Sequence, residues 1–495
     1  MPSSATQFEC SYEALTGGPA TVGWDREYIY VQDRRTDDGR RALKPLTIRD
    51  GCDCARCREP SSGQKTFSST ELPLDLGIAN VRPTEEGLAL TWTTDIERIA
   101  AAAAEQDGAP HETLLPWAAV ELALRRTSME DAVLPRKRSL LQRTGAVYWD
   151  RDTLGQHVRR IDYGEYMREG SAAFWAAVAD LLRLGIVFLE NVPRDEASIL
   201  RVVGRIANVR ETFYGRTFDV RAKPDAENVA YTSGALAPHQ DLAYLEPQPM
   251  IQALHYMENS CAGGESTFVD GERVGRLLFP FTRASRAMAP LADLHIPYHY
   301  AKRGFSYFAS RRVIDVNEGG YAGIFWSPPF QGRLLCPTRD LRPWIPPARV
   351  FEAMLGDDRA LFRSKMREGD CVLFDNQRVL HGRAAFHPAA GGSRWLRGAY
   401  IAAEDFLSTA AHIPPGHAEA LRGPQPWSPA LAQRRLRQSW WHADALRRVM
   451  EVDPDFKPSS LGDYEANEST ATQASRGRAA GSSFDPIRAE AMKIF

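Results

Sequence analysis

The chain has no apolar run approaching the ~18 residues that a membrane-spanning helix needs. It also has no surplus of either charge: 61 Lys and Arg stand against 63 Asp and Glu, a net charge of −2 at pH 7. That balance removes the electrostatic case for nucleic acid or an anionic lipid surface as the main partner. Cysteine is scarce, with seven in 495 residues, at positions 10, 52, 54, 57, 261, 336 and 371. An odd count with one tight cluster is no disulfide framework; it reads as a metal site plus reduced thiols, and a cytoplasmic compartment is expected. The opening MPSSATQFECSYEALTGG has neither a basic stretch nor an apolar core, and Glu9 and Glu13 argue against a transit peptide. No internal repeat is present. Against these absences, 43% hydrophobic and 25% charged residues describe a chain that buries a real core, which excludes wholesale disorder. At roughly 100–200 residues per domain the length allows two to four domains, or one large catalytic unit with an accessory module.

Residues 1–125 read as a module of their own. A strand-like EYIYV (Glu27–Val31) leads to the Cys cluster, GLALTW (Gly87–Trp92) is a second strand, and an alanine-rich helix runs from Ile96 to Glu105. Asp107-Gly108-Ala109-Pro110 stops that helix. The charged, irregular stretch from Arg125 to Asp152 carries the boundary to a second domain, 126–450. There Phe174–Leu184 has helical apolar spacing and IVFLENVP is a short buried strand closed by Pro193. Short apolar strands separated by Gly, Pro and Asp turns follow, at Ile251–Tyr256, Ser266–Val269, Tyr321–Trp326, Cys371–Phe374 and Trp395–Ala402. This spacing predicts a mainly β domain, a sandwich or barrel with flanking helices, and disfavours a doubly wound sheet. RRLRQSWWHADALRR at 434–448 predicts one basic helix with a solvated face, or one packed through Trp440 and Trp441. Residues 451–495 form a tail, Ser/Ala/Gly/Thr-rich after Tyr464 and expected to be partly disordered.

The chemistry gathers at His239-Gln240-Asp241. On an extended strand an imidazole and a carboxylate two residues apart project from the same face and reach one ion. His381 follows a strand-like CVLFDN, with Asp375-Asn376 as a turn that aims it. Two histidines and one carboxylate on one face of a metal leave the opposite positions open, which suits non-haem Fe(II) activating O2. Arg394, thirteen residues after His381, offers a guanidinium for bidentate pairing with a carboxylate such as the C5 carboxylate of 2-oxoglutarate. Arg397 lies three residues on and faces the other side of the strand, so only one of the two reaches the pocket. Cys52, Cys54 and Cys57, three thiols within six residues, read as a metal cluster or as reactive or incidental cysteines. His255, His295, His299 and His387 read as core or loop histidines. Two competing readings stay open: a metal-binding module without turnover, and a zinc hydrolase, which would need a general base that no neighbouring Glu or His supplies.

Taken together, TFYGRTFDV, ENVAYTSGALAPHQD, GGESTFVDG, VLFDNQRVLHGRAAF and SRWLRGAY resemble the gamma-butyrobetaine and trimethyllysine hydroxylases, Fe(II)/2-oxoglutarate dioxygenases of the taurine dioxygenase superfamily, over Ile161 to Asp405. The resemblance implies a double-stranded β-helix (jelly-roll) core, with His239, Asp241 and His381 as iron ligands. It also implies Arg394 as the 2-oxoglutarate anchor, with the Ser266 hydroxyl beside it. RDGCDCARC resembles the family's zinc motif, which implies a structural Zn(II) on Cys52, Cys54 and Cys57 completed by His111 in HETLLPW. The implied substrate pocket is Tyr214, Phe218, Asn228, Tyr231 and Tyr400. Phe218 stands where a cage tryptophan is expected, and Leu242 where the gamma-butyrobetaine enzymes have tyrosine. The implied reaction consumes O2 and 2-oxoglutarate, releases succinate and CO2, oxidises an unactivated C–H bond and uses ascorbate as reductant, in a homodimer. The altered pocket points to a different small molecule, an amino-acid derivative or natural-product intermediate, ahead of carnitine synthesis itself. Because Asp241 is a carboxylate ligand, halogenation is disfavoured.

Overall fold

The computed structural model describes residues 6–10, 20–33, 40–117, 119–120, 136–221, 233–317, 320–333, 341–387, 391–421 and 428–461. The chain divides into two compact units, Met1–Leu134 and Pro135–Phe495. The boundary expected at residue 125 falls within 121–135, outside the described residues, as do Asn228, Tyr231 and the chain after Leu461. No helix among the described residues is long and apolar enough to cross a membrane.

Among its described residues the first unit holds two antiparallel sheets. Strands β1 (Thr6–Cys10), β2 (Ala20–Trp24), β3 (Ile29–Asp33) and β4 (Arg40–Leu43) form a meander. Strands β5 (Ile78–Pro83), β6 (Gly87–Trp92) and β7 (Glu112–Pro116) form the other sheet. Val22, Ile29, Val31, Ile78, Leu88 and Leu90 make one core between them. The alanine-rich segment is a helix, Glu97–Asp107, ended by Gly108 at φ 61°, a left-handed cap that glycine adopts without strain. The chain then returns along β6 as β7, and His111 immediately precedes that strand.

The second unit is mainly β with flanking helices. A six-stranded sheet runs in the order β10 (Phe218–Arg221), β21 (Arg394–Ile401), β12 (Ile251–Asn259), β19 (Cys371–Asp375), β9 (Ile186–Glu190), β8 (Arg160–Asp162). A four-stranded sheet runs β11 (Leu236–His239), β20 (Val379–Arg383), β13 (Ser266–Asp270), β18 (Phe362–Ser364). Hairpins β14–β15 (His295–Lys302, Phe305–Arg312) and β16–β17 (Ile314–Asn317, Gly320–Ile324) complete the described strands. The two larger sheets face each other across a shared core: the Phe268 ring of β13 lies 6.0 Å from Phe188 of β9 and 5.8 Å from Phe374 of β19. This is the jelly-roll arrangement. Strand alternation sorts each residue: Ile186 and Phe188 point between the sheets, while Val187 and Leu189 pack outward against the helices Ala172–Arg183 and Ser198–Ile206. With both faces covered, such strands read as continuous apolar runs, IVFL and CVLF.

Two expectations change at the C-terminal end. The segment 434–448 is not one helix but parts of two, Pro429–Arg437 and Trp440–Val452. Ser439, at φ −90° and ψ 161°, breaks the helical path between them. Trp441 is buried in the core beside Val449, whereas Trp440 stays partly exposed and donates from Nε1 to Asp150 at 3.2 Å. The packed chain also continues past residue 450, where the tail was expected to begin: Phe456 packs its ring 5.6 Å from Phe281 of the helix Gly271–Ala284.

Candidate active site

His239 is the last residue of β11, and its Cα partner across the ladder is His381 of β20. The two rings are 4.5 Å apart. Asp241 does not share that strand, contrary to the reading of the motif as one extended segment. The strand ends at His239 and the chain turns. Gln240, fully buried, fixes the turn: its backbone N–H donates to Trp326 at 2.9 Å, its Oε1 accepts from the Trp326 N–H at 2.8 Å, and its Nε2 donates to Gln377 O at 3.0 Å. The Asp241 N–H donates to Asn376 Oδ1 at 2.8 Å, and its carbonyl accepts from Asn376 Nδ2 at 2.9 Å and Gln248 Nε2 at 2.8 Å. The Asp375-Asn376 turn thus holds the carboxylate-bearing loop as well as preceding His381.

The three side chains converge. Asp241 Oδ1 lies 3.4 Å from His239 Nε2, Oδ2 lies 3.8 Å from His381 Nε2, and one donor atom of each residue falls within 4.8 Å of the others. His239 Nδ1 donates to Ala237 O at 2.9 Å, which leaves the Nε2 lone pair aimed at the centre. Burial, with His239 beside it, pushes the His381 pKa down to about 3. Burial alone would raise the Asp241 pKa, but its contacts with His239, His381 and Gln252 outweigh it and hold the carboxyl well below the usual range. Oδ2 of Asp241 also accepts from Gln252 Nε2 at 2.8 Å and the Tyr400 hydroxyl at 3.0 Å. A neutral imidazole and an ionised carboxylate, oriented by outer hydrogen bonds, are the protonation states that a divalent metal requires. The donor set fits Fe(II).

Strand β21 sorts the two arginines by alternation. Arg394, Leu396, Gly398 and Tyr400 share the face between the sheets; Arg397 faces the other way and pairs with Glu196 at 3.0 Å and Asp219 at 3.3 Å. Arg394 is 9% exposed, its Nε makes no hydrogen bond, and no carboxylate pairs with it among the described residues. Burial holds its pKa below the usual arginine value. Ser266 is buried, its Oγ within hydrogen-bond distance of the Tyr256 hydroxyl. One cavity is lined by His239, Asp241 and His381 together with Arg394, Ser266, Tyr214, Phe218 and Tyr400. Phe218 stacks on Tyr400 at 5.0 Å and 17°, and Tyr214 lies 5.7 Å from Phe218.

In the first unit, His111 Nε2 lies 3.7, 3.2 and 3.5 Å from Sγ of Cys52, Cys54 and Cys57, all four donors being within 4.8 Å of one another. His111 Nδ1 meets Asp95 Oδ2 at 2.7 Å, and the buried Arg49 bridges Asp95 Oδ1 at 2.6 Å and Cys57 Sγ at 3.3 Å. Burial would lower the His111 pKa, but Asp95 and the cysteines reverse this and raise it to about 11. A carboxylate–histidine pair behind a Cys3His set is the outer support zinc sites use.

Sequence reading passed over Gln252, Asp95 and Arg49. Gln252 carried a signal, a polar side chain inside the buried run IQALHYM. Asp95 and Arg49 carried none, since only the fold brings them to the cysteines.

A family model described as "Taurine catabolism dioxygenase TauD, TfdA family" matches residues 148–400. The chain is 31% identical to Dioxygenase str8 of Strobilurus tenacellus over 72% of this chain and 81% of that protein. It is 28% identical to gamma-butyrobetaine dioxygenase of Pseudomonas sp. strain AK-1, over 73% and 88%. With trimethyllysine dioxygenase of Neurospora crassa the identity is 24%, over 82% and 88%. The chain belongs to the TauD/TfdA family and is an Fe(II)/2-oxoglutarate-dependent dioxygenase.

Proposed function

We propose that His239, Asp241 and His381 hold the iron, and that Arg394, with Ser266 beside it, takes the C5 carboxylate of 2-oxoglutarate. The substrate is a small molecule, an amino-acid derivative or natural-product intermediate, oxidised at an unactivated C–H bond with release of succinate and CO2. The observation that carries this reading is Arg394: a buried guanidinium with no carboxylate partner among the described residues, in one cavity with a two-histidine, one-carboxylate set. An unpaired buried charge is costly, and a bound carboxylate compensates it. Iron with 2-oxoglutarate and O2 supplies the oxidising power. The chain's part is positional: Gln252 and Tyr400 fix which oxygen of Asp241 faces the metal, His239 keeps its tautomer through Ala237, and the apolar walls exclude water. Cys52, Cys54, Cys57 and His111 hold a structural zinc. Ascorbate keeps the iron ferrous, and the protein works as a cytoplasmic homodimer with neither nucleic acid nor membrane as partner.

The test is succinate formation by the full chain with Fe(II), ascorbate and 2-oxoglutarate, with and without candidate substrates. His239→Ala should abolish it; a variant that kept full turnover would place the centre elsewhere. A second reading is oxidation of gamma-butyrobetaine or trimethyllysine, favoured by the Tyr214, Phe218 and Tyr400 rings, whose faces attract a quaternary ammonium group. Succinate release stimulated by gamma-butyrobetaine would support that reading.

A further inference from the structure

The cavity has two chemically different ends. On β21, Arg394 and Tyr400 share the inner face six residues apart, roughly 20 Å of extended chain. At the Arg394 end stand Arg383, two residues beyond His381 on β20, and Ser266, its Cα partner on β13. At the Tyr400 end, where its hydroxyl meets Asp241, stand Tyr214, Phe218, Leu242 and Tyr244. Among the described residues no charged side chain lines that end, apart from Asp241. Its carboxylate is already engaged by Gln252, Tyr400 and the two imidazoles. Among the described residues, a substrate cation there would have only ring faces to offset its desolvation, and a substrate carboxylate would have no guanidinium.

Two backbone features shape this end. Leu242 is buried at φ 58°, in the left-handed region, where a residue with a Cβ costs about 1–2 kcal/mol. Strain kept beside a metal ligand is explained by what the side chain does, and Leu242 forms an apolar wall of the cavity. Gly398 lies under Phe218: a Cβ there would sit 2.2 Å from Phe218 Cζ. Its lack of a side chain lets the Phe218 ring lie flat on β21 and stack on Tyr400.

We infer that the substrate presents an uncharged ring, or an equally flat apolar group, to the iron, packed between Leu242 and the Phe218–Tyr400 stack. This rests on the oxygenase reading above and narrows its substrate class.

The test is an anaerobic titration of the full-length Fe(II)-loaded protein with 2-oxoglutarate, followed by the visible charge-transfer band of the chelate. Formation of that band tests the oxygenase reading by itself; its absence would remove the ground on which the inference stands. Three probes sharing one ring are then added: methyl phenylacetate (neutral), phenylacetate (anionic) and phenethyltrimethylammonium (cationic). The neutral probe should perturb the band and bind at least about tenfold more tightly than either charged one, about 1.4 kcal/mol. Leu242→Ala and Gly398→Ala should each weaken the neutral probe at least about fivefold more than they weaken 2-oxoglutarate, a selectivity that general unfolding would not produce. The inference is overturned if a charged probe binds as tightly as the neutral one, if the band forms and no probe perturbs it, or if both variants bind the neutral probe unchanged.

Discussion

Replacing Arg394 by methionine keeps most of the side-chain volume and removes the guanidinium, and its effect can be worked from the geometry. In the resting protein this charge is buried between the sheets with no carboxylate opposite it among the described residues, and its pKa is depressed by burial. Its removal therefore costs the ligand-free fold little, and the melting temperature should stay level or rise. With 2-oxoglutarate bound, the same substitution leaves a buried carboxylate unpaired, a loss of about 2–4 kcal/mol, or roughly 30- to 1,000-fold in Kd. Anaerobic calorimetry with the redox-silent Mn(II) form measures this without turnover. Arg397→Met is the control, since that side chain faces out of the cavity toward Glu196 and Asp219; it should change the 2-oxoglutarate Kd by less than about threefold. Equal losses in the two variants, or an unchanged Kd for Arg394→Met, would refute the assignment.

Gln252→Leu and Tyr400→Phe each remove one donor to Asp241 Oδ2. Each should weaken Fe(II) binding by about 10- to 100-fold, read by competition with a chelator; unchanged affinity would deny these groups an orienting role. Cys54→Ser should lose zinc and lower the unfolding temperature of the Met1–Leu134 unit, whereas full zinc by atomic emission would rule out the Cys3His site. His255 is buried on β12 and its pKa falls to about 4 because burial disfavours its charged form. Between pH 6.5 and 4 the unfolded chain takes up a proton that the folded one refuses, so stability should fall with pH across that window, by about 3 kcal/mol in all. His255→Leu should flatten that part of the urea-unfolding profile, and an identical profile would contradict the argument.

Much of the candidate site was legible because the side chains that converge there lie close in sequence or are rare polar groups in apolar surroundings. His239 and Asp241 are two residues apart, Cys52, Cys54 and Cys57 fall within six residues, and strand alternation alone separates Arg394 from Arg397. The residues that orient these groups were less visible because register decides them. Gln252 reaches Asp241 only because β12 lies between β19 and β21, and Asp95 reaches His111 only because β7 folds back along β6 after the helix. The path from His239 to Asp241 also escaped local reasoning: a strand and a turn both bring i and i+2 together, and Gln240, locked to Trp326 and Gln377, selects the turn. At the C-terminal end, the burial of Trp441 and Phe456 escaped a composition argument because it depends on the surface that the helix Gly271–Ala284 offers them.

The central claim is most directly tested by diffraction from crystals of the full chain grown anaerobically with Fe(II) and 2-oxoglutarate, measured on both sides of the iron absorption edge. The account predicts an iron anomalous peak within coordination distance of His239, Asp241 and His381, with the distal carboxylate of 2-oxoglutarate on Arg394. An iron peak elsewhere, or a cosubstrate that leaves Arg394 unpaired, would contradict it.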